Sequence, residues 1–224
     1  MDDVEVPAFQ RARRPEQRDL RRQKILDAAE DLLAEMPAEE ISLRELGRRL
    51  GVSKTHVVRY FESREGVFLE LLNRQRLSWI EALVNEWPSP PCEPDHVMQA
   101  WADSLAARPV LCQLWSLLPS VLERNVSADT VRAYKLTDLE QRTTLANLIS
   151  DRVPALGADD AFTLTRYAVV SLVGLWPFSN PTPTLLEATA DARLAGSRVE
   201  FAAMYGEILQ TTLAGLLARA HVNR

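Results

Sequence analysis

One glycine constrains this chain more than any other residue. Gly51 divides the segment LGRRLGVSKTHVVRYF, residues 46–61, into two helical pieces that share one apolar seam. Leu43, Leu46 and Leu50 recur at the spacing of a single helical face, and Val57 resumes that face beyond the break. Gly51 suits the left-handed conformation that ends a helix, Val52 fills the corner, and Ser53 can accept a bond from an orphan amide at the start of the second piece. Gly47 leaves no Cβ between the two helices where they cross, so a larger residue there should splay them. These features predict a helix-turn-helix. The alternative is an ordinary glycine-stopped corner of an all-α domain, and charge weighs against it. Between Ser42 and Arg64 stand Arg44, Arg48, Arg49, Lys54, Arg59 and Arg64 against only Glu45 and Glu62, whereas residues 77–224 carry 11 basic and 16 acidic residues. A basic module on an acidic body is the footprint of a polyanion binder, although the whole chain has a formal net charge of −5.

The stretch from Arg21 to about Leu83 resembles the N-terminal DNA-binding domain of the tetracycline-repressor (TetR) family. The resemblance is carried by ILDAAEDLL in the first helix, by ISLRELGRRLGVSK, and by the aromatic pair YF followed by ESRE. It implies an all-α homodimer with an N-terminal three-helix DNA-binding domain and a larger helical domain for ligand binding and dimerisation. Most such proteins repress transcription until a small molecule binds. One departure matters: after Lys54 the family commonly has a small residue, then Thr, Leu and Tyr, whereas this chain has Thr55, His56, Val57 and Val58. Val58 can meet a thymine methyl, but the bond made by a tyrosine is lost, so the operator of a relative does not transfer. Lys54, Thr55, His56 and Arg59 are expected to face base edges or adjacent phosphates. Ser42, Arg44, Ser53, Tyr60 and Arg64 are expected to fix the register on the DNA backbone. Arg64, in the first turn of a helix where the dipole disfavours cations, points to a phosphate nearby.

Three domains are expected: a flexible basic arm over 1–15, the DNA-binding unit over 16–62, and the larger helical domain over 63–224. Seven basic residues between Arg11 and Lys24 face only Glu16 and Asp19. Such a run is either a solvated face or an arm adding phosphate or minor-groove contacts. The first helix should run from near Glu16 to Met36 and bury Ile25, Ala28, Ala29, Leu32 and Leu33. A long helix should follow from Ser63 to Glu86, and WPSPPCEP should break the chain. Further helices are expected over 95–107, 109–123, 127–151, 159–176, 184–194 and 198–221. No run of about 18 apolar residues and no apolar leader is present, so the cytoplasm is the default location. Cys92 and Cys112 lack metal-ligand spacing and read as two reduced thiols, a redox sensor being the alternative. No metal or cofactor is expected.

Two features of the larger domain invite function. The helix over 159–176 is apolar nearly all round, and that over 198–221 has a broad apolar side with small residues, so a dimer interface through Val169, Val173, Ala202, Gly206, Leu209, Leu213 and Leu216 is expected; a thick monomeric core is the alternative. Trp79, Trp101, Trp115, Tyr134, Phe162 and Trp176, with Asp103, Gln113, Asn147 and Arg166, compose a candidate pocket for a hydrophobic or aromatic ligand, each also readable as plain core. Three scattered histidines, no GxSxG, no HExxH and no phosphate loop leave an enzyme without support. The rival to a DNA-binding regulator is an all-α carrier of lipophilic molecules or a helical enzyme that binds no DNA.

Overall fold

The computed structural model describes residues 9–222, whose regular structure is helical, with no strand among the described residues. Contacts divide the chain into two compact units, the first ending at Leu71 and the second beginning at Leu72. The first contains α1 (Phe9–Glu35), α2 (Leu43–Arg49), α3 (Lys54–Val58) and the opening of α4 (Arg64–Glu86), which continues across the boundary. The second adds α5 (Pro94–Ala106), α6 (Pro109–Leu117), α7 (Ala128–Arg152), α8 (Ala158–Ser179), α9 (Pro183–Ala188) and α10 (Phe201–Val222).

In the first unit the seam read from the sequence is the core: Ile25, Ala29 and Leu32 of α1 enclose Leu46, Val57 and Phe68, each at most 2% exposed. Gly51 has φ +66°, the left-handed geometry that ends α2. Ser42 caps α2 by accepting from the Glu45 amide at 3.2 Å, and Ser53 caps α3 by accepting from the His56 amide at 3.2 Å. The two helices cross at Gly47. Its carbonyl accepts from the Val52 amide at 2.8 Å, and a Cβ placed on it would stand 2.7 Å from the Val52 carbonyl oxygen.

The arm expected over 1–15 is corrected in part. Residues 1–8 lie outside the described residues, but helix α1 begins at Phe9 and includes Pro15. Pro15 is the seventh residue of the helix, where it withholds one backbone hydrogen bond without ending the helix.

In the second unit α10 packs on α5 and α8, and α8 also packs on α6 and α7. Tyr205 donates its hydroxyl to the Ala168 carbonyl at 3.0 Å, tying α10 to α8 inside the core. Gly206 faces α5, where an added Cβ would lie 2.2 Å from Gln99 Oε1. The expected interface is therefore corrected. Leu209, Leu213 and Leu216 are at most 2% exposed within their own chain, Gly206 is buried against α5, and Ala202, Val169 and Val173 are half-buried on the flanks. The physical reason is periodicity: a helix apolar on every side gives no polar stripe to say which side is inward. The sides left outward are Tyr167, Val170, Gly174 and Phe178 on α8, and Met204, Thr211, Ala214, Gly215 and Ala218 on α10. The helix expected over 109–123 ends instead as a π-helical turn over Leu118–Leu122, and the segment expected over 184–194 is the six-residue α9 followed by a 3₁₀ turn over Ala192–Ser197.

Cys112 is buried and donates its thiol to the Leu105 carbonyl at 3.3 Å; burial pushes its pKa up, so it holds no reactive thiolate.

The crossing at Gly47 generates an expected outcome. Gly47→Ala improves helix propensity by about 1 kcal/mol, yet its methyl collides with a backbone carbonyl that no rotamer can move. The variant should lose about 1–3 kcal/mol in urea unfolding, the scale of an overpacked core. A neutral or stabilised Gly47→Ala would show the crossing to be loose.

Candidate nucleic-acid interface

Helix α3 presents its faces unequally. Val57, its one buried residue, anchors it, whereas Lys54, Thr55, Val58 and Arg59 are exposed and His56 and Tyr60 are half-buried. Val58 is 44% exposed, an apolar side chain turned to solvent at the centre of a polar surface. That placement suits a methyl contact and has no role in the core. The tilted rings of His56 and Tyr60 lie 5.5 Å apart, so Tyr60 buttresses one end of the exposed face.

The basic residues separate into two classes. Arg48 bonds Glu45 through Nε at 2.9 Å and Nη2 at 2.5 Å, and Arg49 bonds Glu35 of α1 through Nη1 at 3.0 Å. These pairings hold the Glu45 and Glu35 carboxyls below the ordinary carboxylate range, the charge-assisted bond being the main cause in each. Arg64 is also occupied. Its Nη2 bonds Glu65 at 2.7 Å, and its Nη1 lies 3.3–3.4 Å from the carbonyls of Ala38, Glu39 and Ile41. The expectation that Arg64 reaches a DNA phosphate gives way to a different role: the guanidinium ties the turn between α1 and α2 to the start of α4, and the adjacent Glu65 answers its charge at the positive end of that helix. The side chains of Arg44, Lys54 and Arg59 make no hydrogen bond or ion pair among the described residues, and all three are exposed. Cations without an acidic partner therefore stand on and beside α3, as they do on the exposed side of α1 at Arg18, Arg21 and Lys24.

Ser42 and Ser53 spend their hydroxyl oxygens on caps, which leaves each hydroxyl proton available to a phosphate. Two residues of α1 join this surface that the motif alone did not single out. Arg21 Nη1 lies 3.3 Å from His56 Nε2, and Lys24 stands with Arg21 and His56 around a groove floored by Leu20, Ile25, Leu50 and Val52. The signal was present in the basic run from Arg11 to Lys24, whose helical phase only the structure supplies. Arg22, between them, faces the other way. It donates to the Tyr60 carbonyl at 2.7 Å and to Glu70, with its guanidinium 4.4 Å from the centre of the buried Phe61 ring, so it fastens the end of the α3 segment to α1.

The residues expected to line a ligand pocket disperse. Trp79, Trp101 and Trp115 are buried and adjoin one another. Tyr134 is buried elsewhere beneath Arg76, its phenol pushed up to about 12 by burial, and half-buried Phe162 lies under Arg142. Trp176 meets Phe201 edge-on at 5.0 Å, and Gln113 is half-buried in α6. Asp103, Asn147 and Arg166 are exposed, unlike the buried tryptophans.

Comparison with known proteins agrees with this geometry. Residues 25–71 match the family model described as bacterial regulatory proteins, tetR family, and residues 73–220 match that described as tetracyclin repressor-like, C-terminal domain. No curated protein matches the chain significantly. Among solved structures, a TetR transcriptional regulator from Rhodococcus sp. RHA1 is 17% identical, with 88% of this chain and 99% of that one covered at a TM-score of 0.55. A tetR-family transcriptional regulator from Streptomyces coelicolor is 18% identical over 92% of this chain and 84% of its own, at 0.57. The fatty acid degradation regulator FadR from Bacillus halodurans is 14% identical over 87% and 95%, at 0.53. At these identities the likeness is one of fold.

The two classes of cation should separate in binding assays. Arg59→Ala should cost about 1–3 kcal/mol on a specific site and less on random DNA, as for a side chain that reads a base edge. Lys54→Ala should weaken all sequences alike and reduce the salt slope by about one unit. Arg48→Ala, which removes a cation already matched by Glu45, should change affinity little. Equal losses for Arg48→Ala and Arg59→Ala would refute the division.

Proposed function

This chain belongs to the TetR family of bacterial regulatory proteins, and we propose that it is a cytoplasmic homodimeric repressor that binds a palindromic operator and releases it on binding a small hydrophobic or aromatic molecule. The family makes it a DNA-binding transcriptional regulator rather than an enzyme. The observation that carries the DNA reading is the unpaired set of Arg44, Lys54 and Arg59 around the exposed face of α3. Ser42, Ser53, Thr55, His56, Val58 and Tyr60 complete that surface.

The dimer reading is supported by what the second unit leaves uncovered. Val170 is 67% exposed and Phe178 69%, on a helix whose opposite stripe is core. The outward side of α10 carries Met204, Thr211, Ala214, Gly215 and Ala218 between the charged Glu207 and Arg219, and α9 has no buried residue and exposes Leu185 and Leu186. Contiguous apolar surface of this kind marks a site of association. A second copy placed by two-fold symmetry would cover α8 and α10 and would present two recognition segments to half-sites about 34–36 Å apart. Release requires only that the ligand prefer a dimer shape that cannot span both half-sites. A coupling of about 1–3 kcal/mol then lowers operator affinity roughly 5- to 150-fold, and operator DNA must weaken ligand binding by the same factor.

Selection of bound fragments from the source genome, followed by titration across salt concentrations, tests the regulator directly. A protein that retains no fragment sequence-selectively would be the carrier or enzyme of the rival reading. Assembly has its own test. Val170→Glu should sediment as a monomer with unchanged helical circular dichroism, because its side chain faces out of the fold. Leu213→Glu should instead unfold, since an unpaired buried charge costs about 3–5 kcal/mol. A Val170→Glu variant that stays dimeric would place the interface elsewhere.

A further inference from the structure

A groove of about 440 Å³ opens in the first unit between α1 and the corner that joins α2 to α3. That is the size of a small-molecule site. Its floor is aliphatic, made by Ile25, Leu50, Val52 and Leu20, the last of which is 59% exposed. The polar side chains around that floor are Gln17, Arg21, Lys24 and His56, and no carboxylate is among the lining residues. Two other grooves of similar size differ in this respect, one bordered by Glu86 and Asp103 and the other by Glu39 and Glu62.

The placement of the cations follows from helix geometry. Gln17, Leu20, Arg21 and Lys24 recur at i, i+3, i+4 and i+7, so one face of α1 carries a leucine beside two cations. Across the groove, His56 of α3 accepts from Arg21 Nη1 at 3.3 Å. That bond uses one of the five guanidinium N–H donors, and Lys24 makes no hydrogen bond or ion pair among the described residues. The remaining donors suit a carboxylate, which a guanidinium can grip through two bonds. DNA phosphates would use the same donors, yet a phosphodiester draws nothing from an aliphatic floor. A molecule that uses both parts of the groove is anionic at one end and aliphatic at the other.

We propose that this groove is a regulatory site on the DNA-reading unit itself, which binds an aliphatic carboxylate: the chain lies on Leu20, Ile25, Leu50 and Val52, and the carboxylate is held by Arg21 and Lys24. The bound anion excludes DNA directly, because it occupies cations that adjoin His56 at the edge of the reading face. This rests on the reading of α3 as the DNA-reading element and is independent of any effector in the second unit. The two modes of release differ in form. Direct exclusion raises the apparent operator Kd in proportion to ligand concentration, without a ceiling. Release through a distant site levels off at the coupling factor, about 5- to 150-fold.

The probes are decanoate, decan-1-ol and decyltrimethylammonium, which share a chain length and differ in charge, each used below its micellar concentration. Equilibrium dialysis against the full-length protein should find decanoate bound about ten-fold more tightly than the alcohol, with the ammonium weakest. In Arg21→Gln/Lys24→Gln the preference for the acid should fall to about two-fold or less, and Leu20→Gln should weaken decanoate about three- to ten-fold. The replaced side chains are exposed, so the variants keep the fold, which circular dichroism checks. A ligand held in the second unit would not respond to these changes. Anisotropy of a labelled operator fragment should then show an apparent Kd that rises linearly with decanoate in the parent and much less in the double variant. Equal binding of acid and alcohol by the parent overturns the proposal, as does a preference that survives in the double variant, no retention of decanoate, or a displacement that reaches a plateau. DNA that binds without decanoate and is not displaced by it overturns the proposal and leaves the DNA reading intact; no DNA bound at all overturns both.

Discussion

The approach of the Val52 carbonyl to the bare α-carbon of Gly47 sets the geometry of the DNA-binding unit. Only 2.7 Å separates that oxygen from the place a Cβ would occupy, so α2 and α3 meet backbone to backbone. With the crossing fixed, the positive φ of Gly51 fixes the direction in which the chain re-enters, and Ser53 then caps a helix whose one buried residue, Val57, falls on the seam begun by Leu46. Everything exposed on α3 is exposed because of that sequence of constraints. A wider crossing would rotate Lys54, Val58 and Arg59 away from a common surface before any DNA arrived.

Electrostatics in the same unit obey a division of labour. Arg22, Arg48, Arg49 and Arg64 are matched by Glu70, Glu45, Glu35 and Glu65, and two of them also hold backbone carbonyls. Exposed pairs of this sort add little stability, about 0–1 kcal/mol each. Their effect is to keep the framework near neutrality and to orient loops, which leaves the unmatched cations as the source of the local field.

Legibility followed the strength of the local signal. The seam of Leu46 and Val57, the two serine caps and the left-handed Gly51 were readable because each has a short-range cause in the sequence, and the boundaries of α4 and α7 followed from Ser63, Ser127 and the flanking breaks. Pro15 misled because the helix runs on through it at the loss of one backbone hydrogen bond. The inward side of α10 was not readable: Leu209 and Leu213 look no different in the sequence from residues that would face a partner, and only the packing of α5 against Gly206 decides. Arg64 was misassigned because its partners, the carbonyls of Ala38, Glu39 and Ile41, are more than twenty residues away in the chain. Trp87 escaped notice because it opens a proline-rich break yet folds back against Trp101.

The brevity of α3 has a consequence for how this protein can change over generations. Its five residues commit a single side chain, Val57, to the interior, and its ends are held by Ser53 and by the backbone of the α2 crossing. Thr55, Val58 and Arg59 are exposed and outside the core, so replacing them leaves the scaffold intact and, on the proposed reading of α3, changes the DNA it reads. Divergence at those positions can give a duplicated copy a new set of target genes with no need for compensating repair in the core.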